Sequence, residues 1–147
     1  MDLHEYVKNV LVTESCDWAA IQPRLILQGR TLHAVAGIVT EAGELQDALK
    51  KHLFYGRPLD RTNLIEELGD LMWYVALLCD EIAKQETPWP ISEDQGQVTT
   101  GADVLADVLA RNIAKLKARY AGKFTETRAE NRDLDAERRI LEGRCES

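Results

Sequence analysis

The sequence predicts an all-α fold, an antiparallel bundle of helices. Apolar residues recur every three or four positions, the spacing of one helix face, through most of the chain. Capping residues, glycines and prolines stand where these segments begin and end. No long run of alternating apolar and polar residues indicates a strand. A length of 147 residues suits one domain, so residues 1–147 are expected to fold as a single unit.

The charge and composition exclude several classes of protein. The net charge is −7 and no basic cluster is present, so we expect no nucleic-acid partner. No apolar run approaches the roughly 20 residues that a membrane span needs, and no secretory signal pattern is visible. Three scattered cysteines (Cys16, Cys79 and Cys145) suit reduced thiols better than disulfides. These features predict a cytoplasmic protein without a membrane partner.

Two short helices are predicted before the main bundle. The first covers residues 2–12, where one apolar stripe is visible. The second begins near Ser15 or Asp17 and is interrupted at Pro23, because a proline inside a helix removes a backbone hydrogen bond. Gly29 is expected to separate this segment from the next helix.

Three long helices follow, each bounded by a capping residue or a glycine: residues 31–55, 60–84 and 100–122. Asn63 with Glu66, and Thr100 with Asp103, form capping-box patterns. A short turn joins the first two long helices, which predicts that they are antiparallel neighbours. Residues 126–142 are highly charged and are expected to form one peripheral helix.

Four acidic residues stand in two i, i+3 pairs on the first two long helices: Glu41 with Glu44, and Glu67 with Asp70. Each pair presents its carboxylates to one side of its helix. The antiparallel arrangement permits all four to face each other. Four carboxylates in one place repel each other unless a cation lies among them, and Mg²⁺ prefers such ligands. Two ordinary solvated helix faces remain the alternative.

Other residues share these faces. Lys51 lies on the strip of the first acidic pair, together with Gly37 and Ala48. Either the two small residues admit a metal or a phosphate, or they permit tight helix packing. Tyr74 lies on the acidic side of the second long helix and is either a platform for a nucleotide or a packed residue. Lys51 and Tyr74 are therefore candidate substrate-binding residues.

The third long helix carries a polar strip of Asn112, Lys115 and Arg119. Near an acidic metal cluster this strip can hold phosphate oxygens, whereas by itself it is a solvated face. The buried side of this helix is expected to be apolar and to contain Val104, Leu105, Val108, Leu109, Ile113 and Leu116. The preceding segment, residues 85–100, reads as a loop that is either a lid or an insertion, and Trp89 within it either stacks on a base or packs at a subunit contact.

The ligand set narrows the chemistry further. No Glu-x-x-His pattern occurs and no histidine stands at ligand spacing from the acids, which favours Mg²⁺ or Mn²⁺ over zinc and iron. No P-loop and no nucleophile motif is present. Of the reaction types considered, the one that remains is metal-assisted attack of water on a phosphorus centre.

Three stretches, residues 37–47, 66–74 and 112–120, make the chain resemble the MazG-type all-α nucleoside triphosphate pyrophosphohydrolases. The resemblance spans roughly 31–124. It implies Mg²⁺-dependent hydrolysis of a (d)NTP between the α and β phosphates, which gives the nucleoside monophosphate and pyrophosphate. It also implies a homodimer or a homotetramer. Mn²⁺ is a possible substitute for Mg²⁺.

By motif position, the resemblance implies roles for single residues. The metal ligands would be Glu41, Glu44, Glu67 and Asp70. The phosphates would contact Lys115 and Arg119, and the nucleotide would contact Asn112 and Tyr120. One carboxylate would act as the general base for the attacking water, for which Glu41 is preferred over Glu44.

Two alternatives to this function stay open. One is a relative specialised on a single substrate, such as a dUTP, dCTP or phosphoribosyl-ATP pyrophosphohydrolase. The other is a non-enzymatic helical oligomerisation module or antitoxin-like regulator, in which the acids are solvated faces.

Overall fold

The structure is a computed structural model that describes residues 2–14, 17–84 and 100–143. Within these ranges it has no strand, and its elements are α1 (Leu3–Thr13), α2 (Trp18–Leu27), α3 (Gly29–Tyr55), α4 (Arg61–Ala83), α5 (Gly101–Tyr120), α6 (Glu126–Glu130) and α7 (Leu134–Leu141). The all-α prediction is confirmed. The expectations for Ser15, Cys16, Trp89 and Cys145 lie outside the described residues, as does nearly all of the 85–100 segment.

The helices α3 and α4 form the centre of the bundle. Arg30, near the start of α3, forms ion pairs with Asp80 at 2.7 Å and Glu81 at 2.6 Å, near the end of α4. Further along α3, Gly37 is buried against Tyr74, which lies earlier in α4. The two helices therefore run antiparallel, as predicted.

The turn between α3 and α4 begins where predicted, but α4 has a different cap. Gly56 ends α3 with a φ of 65°, a left-handed conformation that glycine adopts without strain. Asp60 is the N-cap of α4, and its Oδ1 accepts hydrogen bonds from the backbone N–H groups of Thr62 at 2.9 Å and Asn63 at 3.1 Å. The predicted Asn63–Glu66 capping box is wrong, because Asp60 already satisfies the N–H groups of this first turn.

The interruption predicted at Pro23 is also wrong. The helix α2 begins after Asp17, which accepts a hydrogen bond from the Ala20 N–H at 3.1 Å, and it continues through Pro23 to Leu27. A proline removes one backbone hydrogen bond from a helix, and the bonds on either side hold α2 together. The break predicted at Gly29 lies one residue earlier, at Gln28, which flanks both α2 and α3.

The helix α5 begins with the predicted capping box. The Thr100 N–H donates to Asp103 at 3.0 Å, and the Asp103 N–H donates to the Thr100 hydroxyl at 3.3 Å. A Cβ added at Gly101 would lie 2.7 Å from backbone atoms of Asp80, so this glycine lets α5 begin in close contact with the end of α4. At the other end, Ala121 and Gly122 have positive φ angles and terminate the helix.

The buried side of α5 is partly charged and not wholly apolar. Val104 is fully buried, but Val108, Leu109 and Ile113 are exposed, which contradicts the prediction. Asp107 and Arg111 are buried instead, and their side chains form an ion pair at 2.6 Å. Arg111 also donates to the Leu141 carbonyl at 2.8 Å. Because α7 covers this side of α5 and supplies a further acceptor, the pair satisfies the rule that buried polar groups are hydrogen-bonded.

The charged C-terminal segment forms two helices instead of the one predicted. Thr125 caps α6 by accepting from the Arg128 N–H at 3.3 Å, and Asp133 caps α7 by accepting from the Ala136 N–H at 2.9 Å. Asp133 therefore begins a new helix where the prediction had the first one continue. The helix α7 then packs against α5.

Much of the apolar surface is exposed. Among the described residues, the only buried apolar ones are Ala34, Cys79 and Val104. Burial raises the pKa of the free Cys79 thiol. The exposed apolar residues of α3 and α4 include Leu32, Val35, Val39, Leu49, Leu53, Ile65, Leu68, Met72 and Trp73. Across the described ranges, no helix combines the length and the apolar character needed to span a membrane.

Candidate metal centre

The helices α3 and α4 bring three carboxylates together: Glu41, Glu67 and Asp70. One oxygen from each lies within 4.8 Å of the others. Two ligands on opposite sides of one Mg²⁺ would be about 4.2 Å apart, since each bond is about 2.1 Å. The three oxygens are thus close to the spacing that a single cation requires, and small side-chain movements would bring them to it. Glu41 and Glu67 are half-buried, and Asp70 is exposed.

Glu44 is not part of this group. It follows Glu41 on α3 but is exposed, and its carboxylate is not among the three that lie close together. The structure therefore brings together three of the four predicted metal ligands. The role of Glu44 stays a prediction.

The three acids crowd each other without a compensating protein cation. The pKa of Glu41 is raised, first by burial and then by the Glu67 side chain and the charge of Asp70, while a hydrogen bond from Thr40 opposes the rise. Within the described ranges, no lysine or arginine forms an ion pair with any of the three. Partly buried negative charge of this kind favours the binding of a divalent cation that prefers oxygen ligands.

Two neutral side chains hold the half-buried acids. The Thr40 hydroxyl lies 2.9 Å from the Gly37 carbonyl and 3.3 Å from Oε1 of Glu41. The Asn63 amide donates from Nδ2 to Oε1 of Glu67 at 2.7 Å. Sequence reasoning missed Asn63 because it treated this residue as a cap. The i, i+4 spacing from Asn63 to Glu67 was the available signal.

Tyr74 packs on α3 one turn away from the acids. A Cβ added at Gly37 would lie 2.3 Å from the Tyr74 ring, so only glycine leaves room for it. The ring also meets His33 and Trp73 edge to face, with centroids 5.5 Å and 4.9 Å away. Of the two interpretations of Gly37, the structure supports tight helix packing. The substrate-binding role of Tyr74 stays a prediction.

Lys51 has a local partner. Its Nζ forms an ion pair with Asp47 at 2.5 Å, one turn earlier on α3, and both side chains are partly exposed. The structure does not bring Lys51 into an ion pair with the three acids. Its predicted contact with substrate is untested.

The polar strip of α5 is not in contact with α3. Within the described chain, α5 contacts α4, α6 and α7, and Asn112 is exposed while Lys115 is half-buried. The Tyr120 ring lies 5.3 Å from the Phe124 ring and 5.6 Å from the Arg119 guanidinium. The phosphate and nucleotide contacts implied for these residues therefore stay predictions.

Arg119 is engaged by α7. Its Nε donates to Oε1 of Glu137 at 2.7 Å and its Nη2 donates to Oε2 at 2.5 Å. Arg132 donates to the same carboxylate, with its Nη2 2.6 Å from Oε2. Arg119 first, and then Arg132, lower the pKa of Glu137 to about 2, and Glu137 in turn raises the pKa of Arg119. Any phosphate contact of Arg119 would have to use the face of the guanidinium that Glu137 leaves open.

Residues 30–100 match the family model described as the MazG nucleotide pyrophosphohydrolase domain. No curated protein and no solved structure matches the chain. The matched region contains all of α3 except its first residue, all of α4 and the three clustered acids, and it ends before the polar strip of α5. Proteins of this family are nucleotide pyrophosphohydrolases and generally depend on a metal. This match over residues 30–100 and the all-α fold are consistent with a MazG-like protein.

Proposed function

We propose that this protein hydrolyses (deoxy)nucleoside triphosphates to the nucleoside monophosphate and pyrophosphate, with Mg²⁺ as cofactor, and so takes part in control of nucleotide pools. The observation that carries the proposal is the meeting of Glu41, Glu67 and Asp70 inside the region that matches the MazG domain. The proposal is supported by the position of these acids inside the matched region, and not by their clustering alone.

The donor set fits Mg²⁺ or Mn²⁺. Glu41, Glu67 and Asp70 would hold the cation, and Glu44 would add a carboxylate from the next turn of α3. Their donors are all carboxylate oxygens, which suit Mg²⁺ and Mn²⁺ better than zinc. When bound, the cation supplies neutralisation of the triphosphate charge and a lowered pKa of the attacking water.

The chain's own side chains would divide the remaining work. Glu41 faces both acids of α4 and takes the proton of the attacking water, with Glu44 as the alternative base. Lys115 has no ion-pair partner among the described residues, so its ammonium is available to phosphate oxygens. Arg119 binds Glu137 through its Nε and Nη2 and also interacts with the Tyr120 side chain, so a phosphate would have to share this guanidinium with both. Asn112, Tyr120, Lys51 and Tyr74 are the remaining candidates for substrate contact.

The protein is proposed to work as a homodimer or a homotetramer. On α4, the exposed residues Ile65, Leu68 and Met72 follow each other at i, i+3 and i+7, and α3 carries a similar exposed stripe. Contiguous apolar surface of this kind marks a protein contact. An Ile65→Arg substitution should shift the assembly toward monomers in analytical ultracentrifugation, whereas Glu66→Arg should not, because the exposed Glu66 lies about 100° around α4 from Ile65. Equal sedimentation of both variants and the wild type would contradict this interface.

The proposed reaction is tested by its products. Purified protein is incubated with each of the eight common NTPs and dNTPs, with and without Mg²⁺, and the release of pyrophosphate is measured. In ¹⁸O-labelled water, attack on the α phosphorus should place the label on the monophosphate. Label in pyrophosphate, or release of orthophosphate, would show a different reaction. No turnover of any nucleotide would favour the oligomerisation module, and strict preference for one would favour a specialised relative.

The same assay tests the ligands. Glu41→Gln, Glu67→Gln and Asp70→Asn should each lower kcat/KM by at least about 100-fold, because each removes a charge that the cation requires. Glu44→Gln decides whether the exposed fourth acid belongs to the site. Glu66→Gln is the matched control, since Glu66 is exposed on the same helix and is not one of the clustered acids.

A further inference from the structure

Asn63 makes a side-chain contact that is separate from the cap of α4. It lies in the first turn of α4, where its backbone N–H is already bonded to Asp60. Its side-chain Nδ2 donates to Oε1 of Glu67 at 2.7 Å, and both residues are half-buried. A carboxylate only accepts, so the amide must turn its NH₂ group toward Glu67. The orientation of the Asn63 side chain is therefore determined by this acid.

The hydrogen bond constrains Glu67 in a specific way. Glu41 and Asp70 repel the Glu67 carboxylate, and without a restraint it would turn away from them toward solvent. A donor on one oxygen fixes the plane of the carboxylate and leaves the other oxygen for a cation. Because the donor is neutral, it adds no positive charge that would compete with that cation.

We propose that Asn63 is a positioning residue of the metal centre, which acts by orienting Glu67 toward the cation. This inference rests on the proposed function, because without a metal the contact would be only a local bond within α4. Partners that hold the ligands of a metal usually matter for binding, and their loss weakens metal affinity or activity by about 10- to 100-fold. A residue that acted only on the stability of α4 would leave metal affinity unchanged.

The test is direct binding of Mn²⁺ to the nucleotide-free protein, measured by isothermal titration calorimetry. Asn63→Ala should raise the dissociation constant by about 10-fold or more. Glu67→Gln, which removes a ligand charge, sets the upper limit of the effect. Asn131→Ala is the matched control, because the Asn131 amide also donates to a residue four positions earlier, the Thr127 carbonyl at 2.9 Å. This control should bind Mn²⁺ like the wild type.

The outcomes distinguish a failure of the Asn63 role from a failure of the metal centre itself. If the wild type binds Mn²⁺ and Asn63→Ala binds it equally well, the positioning role is overturned and the metal centre stands. If the wild type binds no Mn²⁺, or Glu67→Gln binds as the wild type does, the metal centre fails and the role of Asn63 fails with it. Circular dichroism checks that each variant is folded. If Asn63→Ala unfolds, the binding measurement is repeated with Asn63→Leu, whose side chain has a similar size and no hydrogen-bond donor.

Discussion

Glu137 accepts two parallel hydrogen bonds from Arg119, so the last helix of the described chain holds the end of α5 by a fork-shaped ion pair. The side chains are 6% and 14% exposed. Charge-assisted bonds with this geometry are stronger and more specific than those of a single lysine. The pair joins a residue predicted to contact substrate to a helix outside the matched domain.

Replacing Glu137 with glutamine should lower the midpoint of thermal unfolding. The variant leaves Arg119 and Arg132 around a neutral amide, and breaking one side of a shielded ion pair is unfavourable. Differential scanning fluorimetry measures the change. Asp47→Asn removes the partner of Lys51 from a more exposed pair and should have a much smaller effect. Equal shifts in both variants would show that the α7 contact contributes no more than a surface pair.

The contribution of Glu137 to the stability of the folded protein should disappear in acid. Its pKa is about 2 in the folded protein, against an ordinary value of 4.5. A carboxyl group whose pKa is lowered by folding stabilises the protein fully above the ordinary value, and this stabilisation is lost as the pH falls toward the folded value. The difference in unfolding midpoint between the wild type and Glu137→Gln should thus be constant at neutral pH and shrink between about pH 4.5 and pH 2. A difference that persists at pH 2 would contradict the assignment.

Gly37→Ala and Gly43→Ala should change stability in opposite directions. Both glycines lie in α3, where alanine is favoured over glycine by roughly 0.5–1 kcal/mol. Gly43 faces open space, so Gly43→Ala should gain this amount. At Gly37 the new methyl group would meet the Tyr74 ring, and overpacking costs about 1–3 kcal/mol, which outweighs the gain. Urea unfolding of both variants measures the two signs, and a stabilised Gly37→Ala would disprove the close packing of Tyr74.

Lys115 and Arg119 should differ in how they affect turnover. Lys115→Ala should lower kcat by about 10- to 100-fold if its ammonium meets the departing pyrophosphate, without changing the unfolding midpoint. Arg119→Lys should lower both activity and stability, because a lysine cannot keep two bonds to Glu137. Steady-state kinetics and thermal unfolding are measured on the same preparations. Wild-type kinetics in both variants would show that neither residue takes part in turnover, and would leave Arg119 only its structural contact with Glu137.

The sequence predicts the central helices well because their signals are local. The acidic pairs, the Gly56 stop and the short turn each depend on neighbours within one or two helical turns. The antiparallel packing of α3 on α4 follows from the length of the turn, and the meeting of Glu41 with Glu67 and Asp70 follows from that packing.

What the sequence could not show depends on contacts between distant residues. Asp60 and Asn63 are both good caps three residues apart, and only the structure shows that Asp60 caps α4 and Asn63 binds Glu67. The burial of Asp107 with Arg111 could not be predicted for a similar reason, because the Leu141 carbonyl in α7 that accepts from Arg111 is 30 residues away. Apolar spacing alone favoured Val108, which is exposed.

The chain positions of the clustered acids have a consequence for folding. Glu41, Glu67 and Asp70 belong to two helices that follow each other in the chain. The contact that attaches α7 is also local, because Arg119 and Glu137 are 18 positions apart. Contacts between near neighbours in sequence form quickly, because little loop entropy is lost before they are made. The α3–α4 hairpin and the attachment of α7 to α5 are therefore each expected to form from their own part of the chain. Sequence changes in the C-terminal segment would then alter the attachment of that segment while leaving the cluster as it is.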